Sequence, residues 1–226
     1  MILRAFMEGA TLKNLFHLRD RYCDIARTVA GRACINIQDG VCPDQCVGSI
    51  EDFGGNPTAF PMREPITRLD GVPCVVLVME SPHKDEFIGD WGPAKGATGD
   101  RIRKYMGTIV AGLGGQLSDL ILVNAIQYQC SLGVPTHCYR DRIFDSLWKR
   151  GGAADFEKRL KAIYRPQDML FNCCTGSDPR AGRRQLVTVA IRKSLGAVPL
   201  YSGPHPFGWI SERSRQAIRL VRPNIP

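Results

Sequence analysis

Val75-Val76-Leu77-Val78-Met79-Glu80-Ser81-Pro82-His83 is five aliphatic residues in a row followed by a polar cluster that stops them. A run this short, without polar alternation and bounded by turn residues, predicts a strand buried on both faces of a parallel sheet. Two further runs repeat the pattern. Leu120-Ile121-Leu122-Val123 ends at Asn124, and Ala197-Val198-Pro199-Leu200-Tyr201 ends at Gly203-Pro204-His205-Pro206. In an open parallel sheet the ligand crevice lies outside the carboxyl ends of the strands, so these three distant endings are predicted to meet.

Outward from the first strand, residues 89–99 read as a Gly-rich loop, and a helix is predicted over about Asp100 to Leu113 behind an acidic cap. A helical stretch spans about Arg140 to Ala162, and Asp168 to Cys174 reads as a further strand. Arg180 to Leu195 is predicted helical and basic, as is a final amphipathic segment from Ser211 to Val221. Upstream, Leu12, Leu15, Phe16, Leu18, Tyr22, Ile25, Ala26 and Val29 recur at helical spacing within a segment from Thr11 to Ala33. Asp39 to Pro73 is rich in Gly, Pro and Asp and reads as a long irregular connection, the kind that is functional or pinned by other parts of the fold. Alternating strands and helices predict an α/β protein: a three-layer α/β/α sandwich around a central, mostly parallel four-stranded sheet. There is no internal repeat.

The 226 residues suit one well-buried domain. A net charge of +8 and a pI near 9.1 favour a polyanionic partner, because clustered Lys and Arg attract phosphates. No apolar stretch approaches the roughly 20 residues that span a bilayer, which predicts a soluble, cytoplasmic protein of prokaryotic type without membrane partners. Nine cysteines, an odd number with no leader segment, argue against a full disulfide framework and leave buried thiols or a metal site.

The polar endings suit one chemistry. Breaking a nucleoside's glycosidic bond builds positive charge on the sugar and negative charge on the departing base. Glu80 can favour the cation or orient water, His205 can donate a hydrogen bond to the base, and Asn124 can both donate and accept at a pyrimidine edge. The base must leave the duplex stack, where Trp91 or Phe87 can lie against it. Each residue also has a plainer reading: Glu80 as a turn cap, Asn124 bonding loop backbone, Trp91 as core.

On these residues the chain resembles the uracil-DNA glycosylase superfamily, nearest its iron-sulfur-containing microbial branch, over about Val75 to Trp209. The first motif of that branch has the form Gly-Glu-Ala-Pro-Gly-x-x-Glu, and Met79-Glu80-Ser81-Pro82-His83-Lys84-Asp85-Glu86 stands in its place. Trp91-Gly92-Pro93-Ala94-Lys95-Gly96 matches the base-stacking loop, Leu122-Val123-Asn124-Ala125 the base-reading strand end, and His205-Pro206-Phe207-Gly208-Trp209 the third motif with its wedge. The resemblance implies catalysis by Glu80 and His205, substrate contacts from Ser81, His83, Trp91 and Asn124, and DNA contacts from Lys84, Phe207, Trp209 and Arg213. Arg183, Arg184 and Arg215 are further phosphate-binding candidates.

The departures lie at Met79, Ser81, His83 and Phe207. His83 stands where relatives screen the C5 face of the base, so the identity of the base stays open. Cys42 and Cys46 precede the first motif and Cys130 and Cys138 follow the second, in the two regions where the iron-sulfur branch draws its ligands. Four thiolates there would hold a structural cluster or zinc, although the spacing differs from that branch. No cofactor is needed for the chemistry. The expectation is a monomeric, monofunctional DNA glycosylase over residues 1–226, with a helical N-terminal extension over about residues 1–70. It would remove a flipped uracil or modified pyrimidine, such as a hypermodified cytosine of phage DNA, in repair or defence. Lys84 and Lys95 are read as phosphate contacts rather than Schiff-base lysines. The rival readings are a catalytically silent relative that senses modified bases and a phosphate-handling enzyme; the latter is weakened because the loop at 92–99 lacks a nucleotide-cradling Gly-Lys-Ser/Thr order.

Overall fold

In the computed structural model, the residues described are 17–31, 40–54, 60, 68, 71–89, 92–116, 118–131, 136–176 and 182–221. Helix α1 covers 17–30, and an edge strand β1 follows at Gln45–Ser49. The remaining elements are β2 (Cys74–Met79), α2 (Ala97–Gly112), β3 (Asp119–Asn124), α3 (Thr136–Leu147), α4 (Ala153–Ile163), β4 (Met169–Asn172), α5 (Arg183–Leu195), β5 (Leu200–Ser202), α6 (Glu212–Gln216) and β6 (Arg219–Leu220).

The sheet has six strands in the order β1-β3-β2-β4-β5-β6. The inner four are mutually parallel, and the edges β1 and β6 run antiparallel to their neighbours. The expected four-stranded sheet is thus the centre of a larger mixed one. Neither edge had a readable signal: β1 has its register broken between Cys46 and Ser49, and β6 is two residues long. The basic helix expected over Ser211 to Val221 is confined to α6, and β6 takes its last part. Likewise the helix expected over Arg140 to Ala162 breaks at Trp148–Gly152, where Gly151 adopts φ 125°, a conformation that L side chains rarely adopt.

Strand alternation sorts the core into two layers. Val76, Val78, Ile121, Val123, Leu170 and Leu200 pack with Leu18, Tyr22, Ile25 and Ala26 of α1, Ile143 and Phe144 of α3, Phe156 and Leu160 of α4, and Val187 and Ile191 of α5. On the other face, Val75, Leu77, Leu120, Leu122 and Phe171 meet Ile102, Met106 and Val110 of α2, together with Trp209 and Ile218. Every residue of β2 is buried, each contributing about 1.5–3 kcal/mol for a full-sized aliphatic side chain. Within the expected N-terminal extension, the described residues of α1 pack into the first core layer and β1 extends the sheet.

Connectivity places the crevice. From β2 the chain passes through α2 to β3 on one side, whereas from β4 it passes through α5 to β5 on the other. The two connections leave adjacent parallel strands in opposite directions, so the gap beyond the carboxyl ends of β2 and β4 is a topological switch point. At the opposite end of the sheet, Asp168 accepts two bonds from Arg68 at 2.9 Å each and one from the Cys74 backbone N–H at 2.9 Å. That latch ties Arg68, in the connection before β2, to the start of β4.

Candidate active site

Glu80 emerges where β2 ends, and the turn beyond it is held by reciprocal bonds. The His83 Nδ1 accepts the Asp85 N–H at 3.3 Å, while the Glu86 carboxylate accepts the His83 N–H at 2.9 Å. Behind that turn, Cys42 Sγ donates to the other Glu86 oxygen and accepts from Asn124 Nδ2, each at 3.5 Å. The loop before α2 turns at Ala94 and Gly96, both at positive φ, and Lys95 Nζ donates to the Ile88 carbonyl at 2.7 Å. A Cβ at Gly99 would collide with the Ala94 carbonyl, so the helix start needs glycine there for close approach.

Beyond β4, the buried Asn172 amide donates to the Arg184 carbonyl at 2.9 Å and to Thr188 Oγ1 at 3.0 Å, and its carbonyl accepts the Cys174 N–H at 3.2 Å. These bonds lock the strand end to α5 and deliver Thr175, whose hydroxyl donates to Glu80 Oε2. Beyond β5, the Trp209 indole N–H donates to the Pro204 carbonyl at 3.0 Å, and His205 Nδ1 accepts the Phe207 N–H at 3.2 Å.

A cavity of about 720 Å³ opens at this junction, lined by Glu80, Ser81, His83, Ser131, Arg140 and Thr175, and by Arg184, His205 and Phe207 across from them. That volume lies within the range of small-molecule sites. Burial raises the pKa of Glu80, opposed by the nearby Arg140, the Thr175 hydroxyl and Arg183. Arg140 Nε and Arg183 Nε each lie 3.1 Å from Glu80 Oε1, although neither meets it in hydrogen-bond geometry, so their action there is that of charge. His205 is driven the other way: burial first, then Arg140 and Arg184, lower its pKa to about 4. With Nδ1 accepting a backbone N–H, the neutral ring carries its proton on Nε2 and is a hydrogen-bond donor.

Of the residues singled out from sequence, Glu80, Ser81, His83, His205 and Phe207 meet on this cavity. Asn124 does not reach its wall: it is buried behind the His83 turn on Cys42, with Oδ1 lacking a partner among the described residues. Lys84 lies on the same turn outside the lining, and Trp91 lies outside the described residues. Trp209 is not presented as a wedge. It is 0% exposed within the second core layer, and the exposed apolar side chains of its loop are Phe207 at 59% and Ile210 at 67%. Arg213 is exposed on a second cavity of about 420 Å³ that shares Arg184 and Pro204 with the first.

The cysteines do not gather. Cys42 lies beside Asn124 at the carboxyl end of β3, whereas β1 runs antiparallel and carries Cys46 toward the other end, opposite Ile121 and near Cys74 and Arg68. Cys130 is buried against Ser81 and the Tyr128 carbonyl, its thiol pushed well up by burial. The side chain of Cys138 lies outside those described. Among the described residues no group of three or more His, Cys, Asp or Glu is placed to hold a metal, and the seven described cysteines are free thiols. None of the described helices is long and apolar enough to cross a membrane.

Sequence reasoning missed Arg140, Ser131 and Thr175. Thr175 had a readable signal, because Asp168 to Cys174 already read as a strand and its carboxyl end belongs at the same crevice as the other three. Fold and site together define an α/β protein with an acid, a neutral histidine and arginines around a cleft at a topological switch point. Comparison with protein-family models, characterised proteins and solved structures finds no match to this chain.

Proposed function

We propose that the protein is a monofunctional DNA glycosylase that removes a flipped uracil or modified pyrimidine. The observation that carries this reading is that Glu80, flanked by two arginines, and His205, buried as a neutral imidazole, come from strands far apart in sequence and face one cavity. Water supplies the new bond to the sugar C1′ as the bond from C1′ to the base nitrogen breaks with its electron pair leaving on the base. Ionised Glu80 favours the positive charge that develops on the sugar and orients the water, whose proton passes to it and then to solvent. Neutral His205 donates its Nε2–H to the base oxygen on which negative charge grows, a role that a preorganised donor performs without a prior protonation step. The exposed Phe207 and Ile210 suit insertion where a base has left the stack, and Arg213 with Arg184 suits the adjoining phosphates. Basic surface charge draws the strand in.

Oligonucleotides carrying uracil, hypoxanthine or modified cytosines, incubated with the protein and then treated with alkali, are expected to break at the altered base. Intact strands from all of them, with folded protein and whether or not the strands bind, would sink the catalytic reading.

A further inference from the structure

Glu80 sits in a closed ring of alternating charge that the excision chemistry does not by itself require. Arg140 Nε lies 3.1 Å from Glu80 Oε1 and 2.9 Å from Asp141 Oδ1. Arg183 closes the ring, with Nε 3.1 Å from the same Glu80 oxygen and Nη2 3.1 Å from Asp141 Oδ2. Asp145 stands outside it, 3.9 Å from Arg183 Nη1. The two arginines come from different helices, α3 and α5, and converge on a carboxylate supplied by β2. An acid as deeply buried as Glu80, 3% exposed, would otherwise take up a proton rather than bear an unpaired charge.

From this geometry we infer that Arg140 and Arg183 are positioning residues that hold Glu80 ionised and fixed in orientation inside the cavity wall. The inference rests on the glycosylase reading only for its consequence, that an ionised Glu80 is what the reaction uses. The remaining groups that face Glu80 do not do the same work. Thr175 donates a hydrogen bond to Oε2 from the end of β4, and Cys130 and Cys174 face it as thiols kept protonated by burial. Asp141, the fourth member of the ring, opposes ionisation of Glu80 but holds both arginines in place. A purely structural ring, tying α3 to α5, would matter for stability and leave the titration of Glu80 unmoved.

The test is to titrate Glu80 itself. In protein labelled with ¹³C-glutamate, the Glu80 carboxyl signal is assigned by its disappearance in Glu80→Gln, and its midpoint is followed in Arg140→Gln and Arg140→Lys. Loss of one cation at this distance is expected to move the midpoint up by about one pH unit or more, with Lys restoring most of the difference. The acid limb of base excision should move with it. An unmoved midpoint in folded Arg140→Gln overturns the inference. If that variant does not fold, Arg183→Gln removes the other arm of the ring and is read in the same way. Absence of excision by the unaltered protein would count against the glycosylase reading alone, because the carboxyl titration needs no turnover.

Discussion

His205 Nδ1 accepts the backbone N–H of Phe207 at 3.2 Å, and this one bond both caps the turn at Pro206–Gly208 and leaves the imidazole proton on Nε2. The exposed aromatic and the neutral donor are therefore set by the same short turn.

The histidine has a pH signature. Its folded pKa, about 4, lies below the ordinary 6.5, so between those values the unfolded chain binds a proton that the native protein does not. Its stabilising contribution is present above pH 6.5 and is lost as the pH falls through 6.5 toward 4, on the order of 3 kcal/mol in all. Thermal melts across that window should show a falling Tm that is distinctly flatter in His205→Gln. Excision by His205→Ala should drop about 10²–10³-fold, while the unaltered enzyme keeps a neutral imidazole as its donor down to about pH 4. Parallel Tm profiles for the two proteins would show that His205 is not buried neutral.

Glu80 carries the opposite sign. Burial outweighs the arginines and raises its folded pKa above the unfolded value, so within the carboxylate range the native protein keeps this proton to a higher pH than the unfolded chain does, and stability from this group is lost as the pH rises through that range. Glu80→Gln, which resembles the protonated acid, should melt no lower than the unaltered protein at neutral pH and should excise base at least about 10²-fold more slowly. A large fall in Tm would mean that the ionised side chain is a net stabiliser.

Trp209 and Phe207, two residues apart, should separate cleanly. Trp209→Ala opens a cavity in the layer beneath α2 and is expected to cost about 3–5 kcal/mol, read as a lowered denaturation midpoint. Phe207→Ala and Ile210→Ala should leave stability within about 0.5 kcal/mol and weaken binding to duplex DNA, since both side chains are exposed. Unchanged DNA affinity in the double variant would remove the wedge role from this loop.

Arg213→Gln tests the second cavity. Loss of one phosphate contact should weaken binding to all sequences alike and reduce the slope of log affinity against log salt by about 0.9. A sequence-dependent loss would place Arg213 against a base rather than the backbone.

Much of the architecture was legible because its signals are local. The β2 and β3 runs are aliphatic over five and four residues and stop at polar turns, so their type and their exits toward a common crevice could be read without a partner. The short edges were illegible for the complementary reason: Arg219–Leu220 is a strand only because β5 lies beside it. At the site, Glu80 and His205 were legible as strand-end residues, whereas Asn124 was read onto a wall that it does not reach. Its position behind the His83 turn depends on Cys42, 82 residues away.

By itself the sequence determined the α/β class, the parallel strands and the polar residues at their ends, because hydrophobic runs and turn residues act over a few neighbours. Only the tertiary structure decided what surrounds those residues. Thr175 reaches Glu80 across 95 residues, two arginines reach it from separate helices, no metal-holding group forms among the described residues around Cys42, Cys46 and Cys130, and Trp209 turns inward. Each of these outcomes depends on distances between segments that no local pattern encodes, and the arginines and Thr175 among them act directly on the charge that Glu80 brings to the cavity.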